Sequence, residues 1–231
     1  DACYAIHGWP GYRAGSIIGR PGPAMAAAEF FRITIRGKGA HGARPYDSVD
    51  PVVAGARVVL GLQTIVSRMA DPFSPLVLSV CRFSSGSNGN VIPETAVLEG
   101  TVRYFDAAMG AKVPAKIEAV VKGVCDSVGA GYEFVYEKPY IPLINDRSCF
   151  EAGRAVALEL FGEAMWIEPE HPSMGGEDFA YFLQDYPGAM FNLGLGEDRC
   201  SLHNPGFDFN DEAIGNGILF LVALALRTLE A

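Results

Sequence analysis

The sequence predicts an α/β protein into which an independently folding ferredoxin-like α+β module is inserted. Three observations predict this. Residues 29–137 read in the order β-α-β-β-α-β, the split βαβ arrangement. The segments on either side combine short apolar strands with amphipathic helices, as an α/β domain does. A stretch holding Pro139 and Pro142 separates the module from the C-terminal segment.

Taken in order, residues 2–7 read as a buried strand that delivers His7 at its end, followed by a Pro/Gly-rich loop through Pro23. From Glu29, Phe31, Ile33 and Ile35 alternate with Phe30, Arg32, Thr34 and Arg36, a half-buried strand that ends in GKGAHG. Ser48 or Asp50 then caps a helix with Pro51 in its first turn; Val52, Ala56, Val59, Leu60 and Val66 fall near helical spacing, with Gln63 on the same stripe, to about Arg68. Strands over 76–83 and 96–105 flank the polar, Gly-rich SSGSNGNVIPE. A second helix spans 108–128 and a closing strand 132–136. Beyond the prolines come a helix near 147–161, a strand near 165–167, a Gly-rich turn into 179–183, a strand at 189–193 and a helix over 211–229. The expected domain boundaries are therefore 1–28, 29–137 and 138–231.

Composition narrows the function classes. The chain has 231 residues, 49% hydrophobic and 19% charged, enough for one large or two small cores. A net charge of −9 with no basic run argues against a nucleic-acid partner, because neutralising phosphates needs clustered Lys and Arg. The longest apolar stretch, Ile214 to Leu226, is short and interrupted by Gly215 and Gly217, so no membrane span is expected. Five scattered cysteines in apolar surroundings read as reduced cytoplasmic thiols. The chain opens inside a strand with no initiator Met, and a missing N-terminal part is expected.

Three of the four histidines, His7, His41 and His203, sit beside Gly or Asn-Pro, where the backbone turns and a side chain can face a cleft. Imidazole at a strand-end loop suits Zn, Mn, Co or Ni; a turn histidine bonded to nearby backbone is the other reading. Asn90 offers both a donor and an acceptor to an amide or carboxylate, or is simply a left-handed turn residue in Asn88-Gly89-Asn90. Glu177 and Asp178 are either cleft acids or partners of a helix dipole. Residues 37–42 fit G-x-G-x-x-G, yet Ala43-Arg44-Pro45 follows where a helix should open, which disfavours a nucleotide site. No Gly-x-Ser-x-Gly elbow supports a serine hydrolase.

The runs AIHGWPG, GSIIGRPGPAMAA, RGKGAHGARP, GNVIPE, GTVRYFD, MGGEDFAYF and LHNPGFDFND resemble, in the same order, those of the amidohydrolase branch of the aminoacylase/carboxypeptidase metallopeptidases, which includes hippurate hydrolases, indole-acetyl-amino-acid hydrolases and N-acetyl-diaminopimelate deacetylases. The resemblance covers essentially the whole chain. It implies a partial two-metal peptidase-like catalytic domain (1–28 and 138–231) with an inserted ferredoxin-like lid and dimerisation domain (29–137). It implies hydrolysis of an N-acyl amino acid with two divalent metal ions, His7 and His203 as metal ligands, His41 stabilising the oxyanion in a neighbouring subunit's site, Asn90 binding substrate polar groups, and a homodimer formed through the lid. The family's His-x-Cys-Gly-His-Asp motif and Glu-Glu pair do not occur in these 231 residues. The general base and several ligands are then lacking, and the chain by itself is expected to be inactive. A non-catalytic dimerisation or binding module derived from that family is the alternative.

Overall fold

A computed structural model describes residues 1–230, and the chain passes between two units. Unit 1 holds Asp1–Ala26 and the chain from Leu143 onward; unit 2 is Ala27–Pro142. The opening part of unit 1 contains β1 (Cys3–Trp9), β2 (Ile17–Ile18) and β3 (Gly22–Met25). Unit 2 continues the chain with β4 (Ala27–Arg36), β5 (Ala40–His41), α1 (Pro51–Thr64), β6 (Leu76–Ser85), β7 (Val91–Ile92), β8 (Thr95–Tyr104), α2 (Ala107–Gly110), α3 (Val113–Val128) and β9 (Gly131–Tyr140). Unit 1 then resumes with β10 (Leu143–Asn145), α4 (Arg147–Phe161), β11 (Trp166–Ile167), α5 (Phe182–Asp185), β12 (Gly188–Gly194) and α6 (Ile214–Leu229).

In unit 2 the sheet runs β6-β8-β4-β9 with every neighbour antiparallel, and β5 and β7 form a separate ribbon. The main strands and helices succeed one another as β4-α1-β6-β8-α3-β9, a split βαβ order. Phe31, Ile33 and Ile35 of β4 and Leu98 and Val102 of β8 point to one face, where Ala54, Val58 and Leu62 of α1 and Ile117, Val121 and Cys125 of α3 close the core. Asp50 caps α1, its carboxylate accepting from Val52 N at 2.8 Å, while the Ser48 hydroxyl donates to Pro45 O.

The buried face of α1 is not the stripe that spacing selects. Val52 and Leu60 are exposed and Val59 is half-buried, because α1 is apolar nearly all round and its small residues decide which side approaches the sheet. At Gly55 a Cβ would lie 2.6 Å from Phe83 Cζ, so that side alone admits the ring. A single helix over 108–128 is also corrected. Pro114 sits in the first turn of α3, where a missing N–H costs nothing, so the chain breaks after α2 and restarts.

In unit 1 the sheet runs β1-β12-β2-β11; β1 lies parallel to β12, β12 antiparallel to β2, and β2 parallel to β11. Ile17, Phe191 and Leu193 face α4 and α6, where Phe150, Val156, Phe220 and Leu224 complete the core. Phe191 stacks on Phe150 at 6.1 Å and meets Phe220 edge-on at 5.0 Å. The ring fits because α4 carries Gly153, whose Cβ would come within 2.2 Å of it. β3 and β10 pair as an antiparallel ribbon, so the stretch before Pro23 is not one continuous loop. Two helical stretches, Pro51–Met69 and Asp211–Leu229, are long and apolar enough by composition to cross a bilayer. Each lays a buried face on its own sheet, as the core helices of a globular domain do.

Candidate metal and substrate site

His7 lies within β1, two residues before its end, in a row His7–Asn192–Ile18 across β1, β12 and β2. Side chains alternate along a strand, and Ile6 packs on the α4/α6 core, so His7 points to the opposite face. Trp9 shares that face and meets the imidazole edge-on at 5.6 Å. The ring's Nδ1 lies 2.8 Å from Gly8 O. A carbonyl oxygen only accepts, so Nδ1 carries the proton and Nε2 keeps its lone pair, the tautomer a metal ligand needs.

His203 is exposed, on the loop between β12 and α6. It is the one non-glycine residue with a positive φ (64°) among the described residues. The turn is built around it: Asn204 N donates to Ser201 O, Asn204 Oδ1 accepts from Gly206 N at 2.8 Å, and Phe207 N donates to Asn204 O. Arg199 and Asp208 meet at 3.6 Å across the loop. This backbone turns an imidazole outward without burying it. Asn90, for which a left-handed backbone was the alternative reading, has no positive φ.

His41 and Asn90 belong to unit 2, and the fold brings them together. His41 pairs with Val91 in the β5–β7 ribbon, and Gly42 N donates to Asn90 O at 2.8 Å. Both side chains are exposed. The His41 ring is set oppositely to that of His7: its Nδ1 accepts from Ala43 N at 3.1 Å. An amide N–H only donates, so the neutral ring carries its proton on Nε2 and presents a donor there.

Glu177 caps the turn Asp178–Tyr181, accepting from Phe179 N at 3.3 Å. Among the described residues no three His, Cys, Asp or Glu side chains gather as a metal cluster. His7 of unit 1 fits a divalent ion by its tautomer and His203 by its exposure, and they are part of a ligand set, not the whole of one.

The sequence assigns no role to three polar residues that emerge only in the structure, although Arg20 lies within the run GSIIGRPGPAMAA. Glu29 is 2% exposed and accepts from Tyr104 Oη at 2.7 Å and Tyr136 Oη at 2.5 Å, with Lys138 Nζ at 3.8 Å. Burial first, and the bond to Glu29 second, push both phenols well above their ordinary range. Glu29 falls on the same strand face as Phe31, Ile33 and Ile35, which was the available signal. Arg20 and Asn192 line a cavity on the His7 face of unit 1; an Asn inside the apolar strand AMFNLG was the sign there.

Comparison with known proteins adds three findings. The family model for peptidase family M20/M25/M40 matches residues 1–227. Among curated proteins, the chain is 35% identical to the N-acetyl-L-cysteine deacetylase of Bacillus subtilis over all of this chain and 55% of that protein. It is 37% identical to the N-acetyldiaminopimelate deacetylase of Shouchella clausii over 96% of this chain and 59% of that protein. Among solved structures, a dinuclear metal-binding peptidase of the M20 family from Bacillus subtilis superposes with a TM-score of 0.80 at 29% identity, over 100% of this chain and 58% of that one. The chain thus spans somewhat more than half the length of the relatives it matches. With the match extending across both units and almost every residue, this chain belongs to peptidase family M20/M25/M40.

Proposed function

We propose that the chain forms part of a metal-dependent amidohydrolase that cleaves the amide bond of N-acyl amino acids, hippurate-like substrates among them. The observation that carries the reading is the opposite setting of two histidines by their own backbone. His7 keeps Nε2 free to coordinate, and His41 keeps Nε2–H free to donate. The deacetylases it resembles act on N-acetyl amino acids, which supports this substrate class.

His7 and His203 would hold divalent metal, Zn, Mn, Co or Ni. When bound, two such ions supply Lewis-acid polarisation of a carbonyl and an acidified water. His41 Nε2–H donates to the oxygen on which negative charge develops as the amide carbon becomes tetrahedral, in the site of a neighbouring subunit. Asn90, fixed to Gly42 through its backbone, presents its amide to the substrate's polar groups. This reading needs a general base and further ligands, and the motifs that supply them in the resembling enzymes do not occur in these 231 residues. Pairing of two copies through unit 2 belongs to the same reading.

The test is hydrolysis of N-acetyl and N-benzoyl amino acids by the native full-length protein and its His203→Ala variant. Amino-acid release that falls steeply in the variant is expected. Unchanged hydrolysis in His203→Ala, or none by the native protein with any of the four metals, overturns the proposal.

A further inference from the structure

On the face of the unit 1 sheet that carries His7, two polar atoms are sealed from solvent without a hydrogen-bond partner among the described residues: Arg20 Nε and Asn192 Oδ1. Both residues line one cavity of about 30 Å³, with Ile18, Met25, Leu143 and Met190 as its apolar walls. Neither residue is free to turn away. Arg20 is held by its backbone, whose carbonyl accepts from Asn145 Nδ2 at 2.9 Å, and its Nη1 lies 3.5 Å from Glu170 O. Asn145, 2% exposed, is itself clamped on both sides of Met190 in β12. Asn192 is fixed by its ladder partners His7 and Ile18, and alternation along β12 directs it away from Phe191, Leu193 and the α4/α6 core.

We propose that one water molecule is a fixed component of this cavity, accepting from Arg20 Nε–H and donating to Asn192 Oδ1. The space exceeds the minimum that a buried water needs, and the two polar partners meet the minimum number. The chemistry selects water over other small solutes. A guanidinium stays protonated throughout the working pH range, so Nε is always a donor, and the amide oxygen is always an acceptor. The occupant must therefore accept on one side and donate on the other. An anion does only the first and an ammonium ion only the second, whereas water does both. The water ties the β2–β3 connection, through Arg20, to the middle of β12, one ladder position from His7. The bridge lies within unit 1 alone and stands whether or not the chain serves a hydrolase.

A high-resolution crystal structure of the native protein tests it. An ordered water is expected within about 2.7–3.2 Å of both atoms. A direct bond between Nε and Oδ1, a non-water solute, or density touching only one of the two overturns it. Thermal unfolding of Asn192→Leu, Arg20→Met and the double variant gives a second readout. Each single change is expected to lower the midpoint, and the double variant to fall little below the worse single one, because both remove the same bridge. Strictly additive shifts contradict the shared water. Where a single variant does not fold, the native crystal structure decides.

Discussion

Replacing Tyr104 by Phe keeps the ring in place and removes one hydroxyl from a carboxylate that has almost no contact with water. Glu29 is 2% exposed, and its two oxygens each accept from a different tyrosine, at 2.7 and 2.5 Å. A hydrogen bond to a charged group contributes about 1.5–3 kcal/mol, and leaving a buried carboxylate under-satisfied lies at the upper end. Tyr104→Phe should therefore destabilise unit 2 by about 2–3 kcal/mol. For a chain of this size that corresponds to roughly 4–12 °C in Tm. Tyr104→Phe/Tyr136→Phe should cost clearly more, since Lys138 at 3.8 Å is then the nearest cation to an otherwise stripped charge. Adding Glu29→Met to that pair should recover most of the loss, because an apolar trio leaves nothing unsatisfied. Urea unfolding, read on the transition that reports unit 2, measures all three. A loss below about 0.5 kcal/mol for Tyr104→Phe, or a further loss on adding Glu29→Met, refutes the reasoning.

The same tyrosines set an alkaline limit. Their folded-state pKa values are raised, so the stability they contribute is intact below the unfolded phenol value near 10 and is lost above it. Each phenol steepens that loss by up to about 1.4 kcal/mol per pH unit, and a pH series of unfolding midpoints should show the slope flatten in Tyr136→Phe. Gly100 on β8 faces Phe31 and the Ser79 carbonyl, both 2.2 Å from where a Cβ would stand. Gly100→Ala should lower stability by about 1–3 kcal/mol or more, measured by the same unfolding; a neutral result would show that the sheet yields there. His41→Ala should reduce kcat about a hundredfold with little change in metal content, whereas a change confined to KM would remove the oxyanion role.

Much of the architecture is legible in the chain because its long elements carry their own local signals. Arg147–Phe161 is bounded by Asp146, which caps it, and Gly162, which ends it with φ 76°. The strands Leu76–Ser85 and Thr95–Tyr104 are long, and the connection between them is turn-rich, although against expectation it also holds the two-residue β7 that pairs with β5. What stays hidden depends on partners distant in sequence. β2, β3 and β10 are two to four residues long and exist only through pairing with strands far along the chain. The buried side of α1 is chosen by Gly55 against Phe83, which apolar spacing does not encode. The same holds for the site. Gly neighbours single out His7 and His41, and Asn204-Pro205 singles out His203, but which nitrogen a ring offers depends on backbone contacts, at Gly8 for His7 and at Ala43 for His41. The Arg20–Asn192 pair, far apart in sequence, is visible only once the strands are placed.

The most direct measurement is metal content by elemental analysis in the native full-length protein and in its His7→Ala and His203→Ala variants, each first shown to be folded. The account predicts close to two equivalents of a divalent transition metal in the native protein and a substantial loss in each variant. Native protein that binds no such metal, or two variants that retain the full complement, would contradict the assignment of His7 and His203 as ligands.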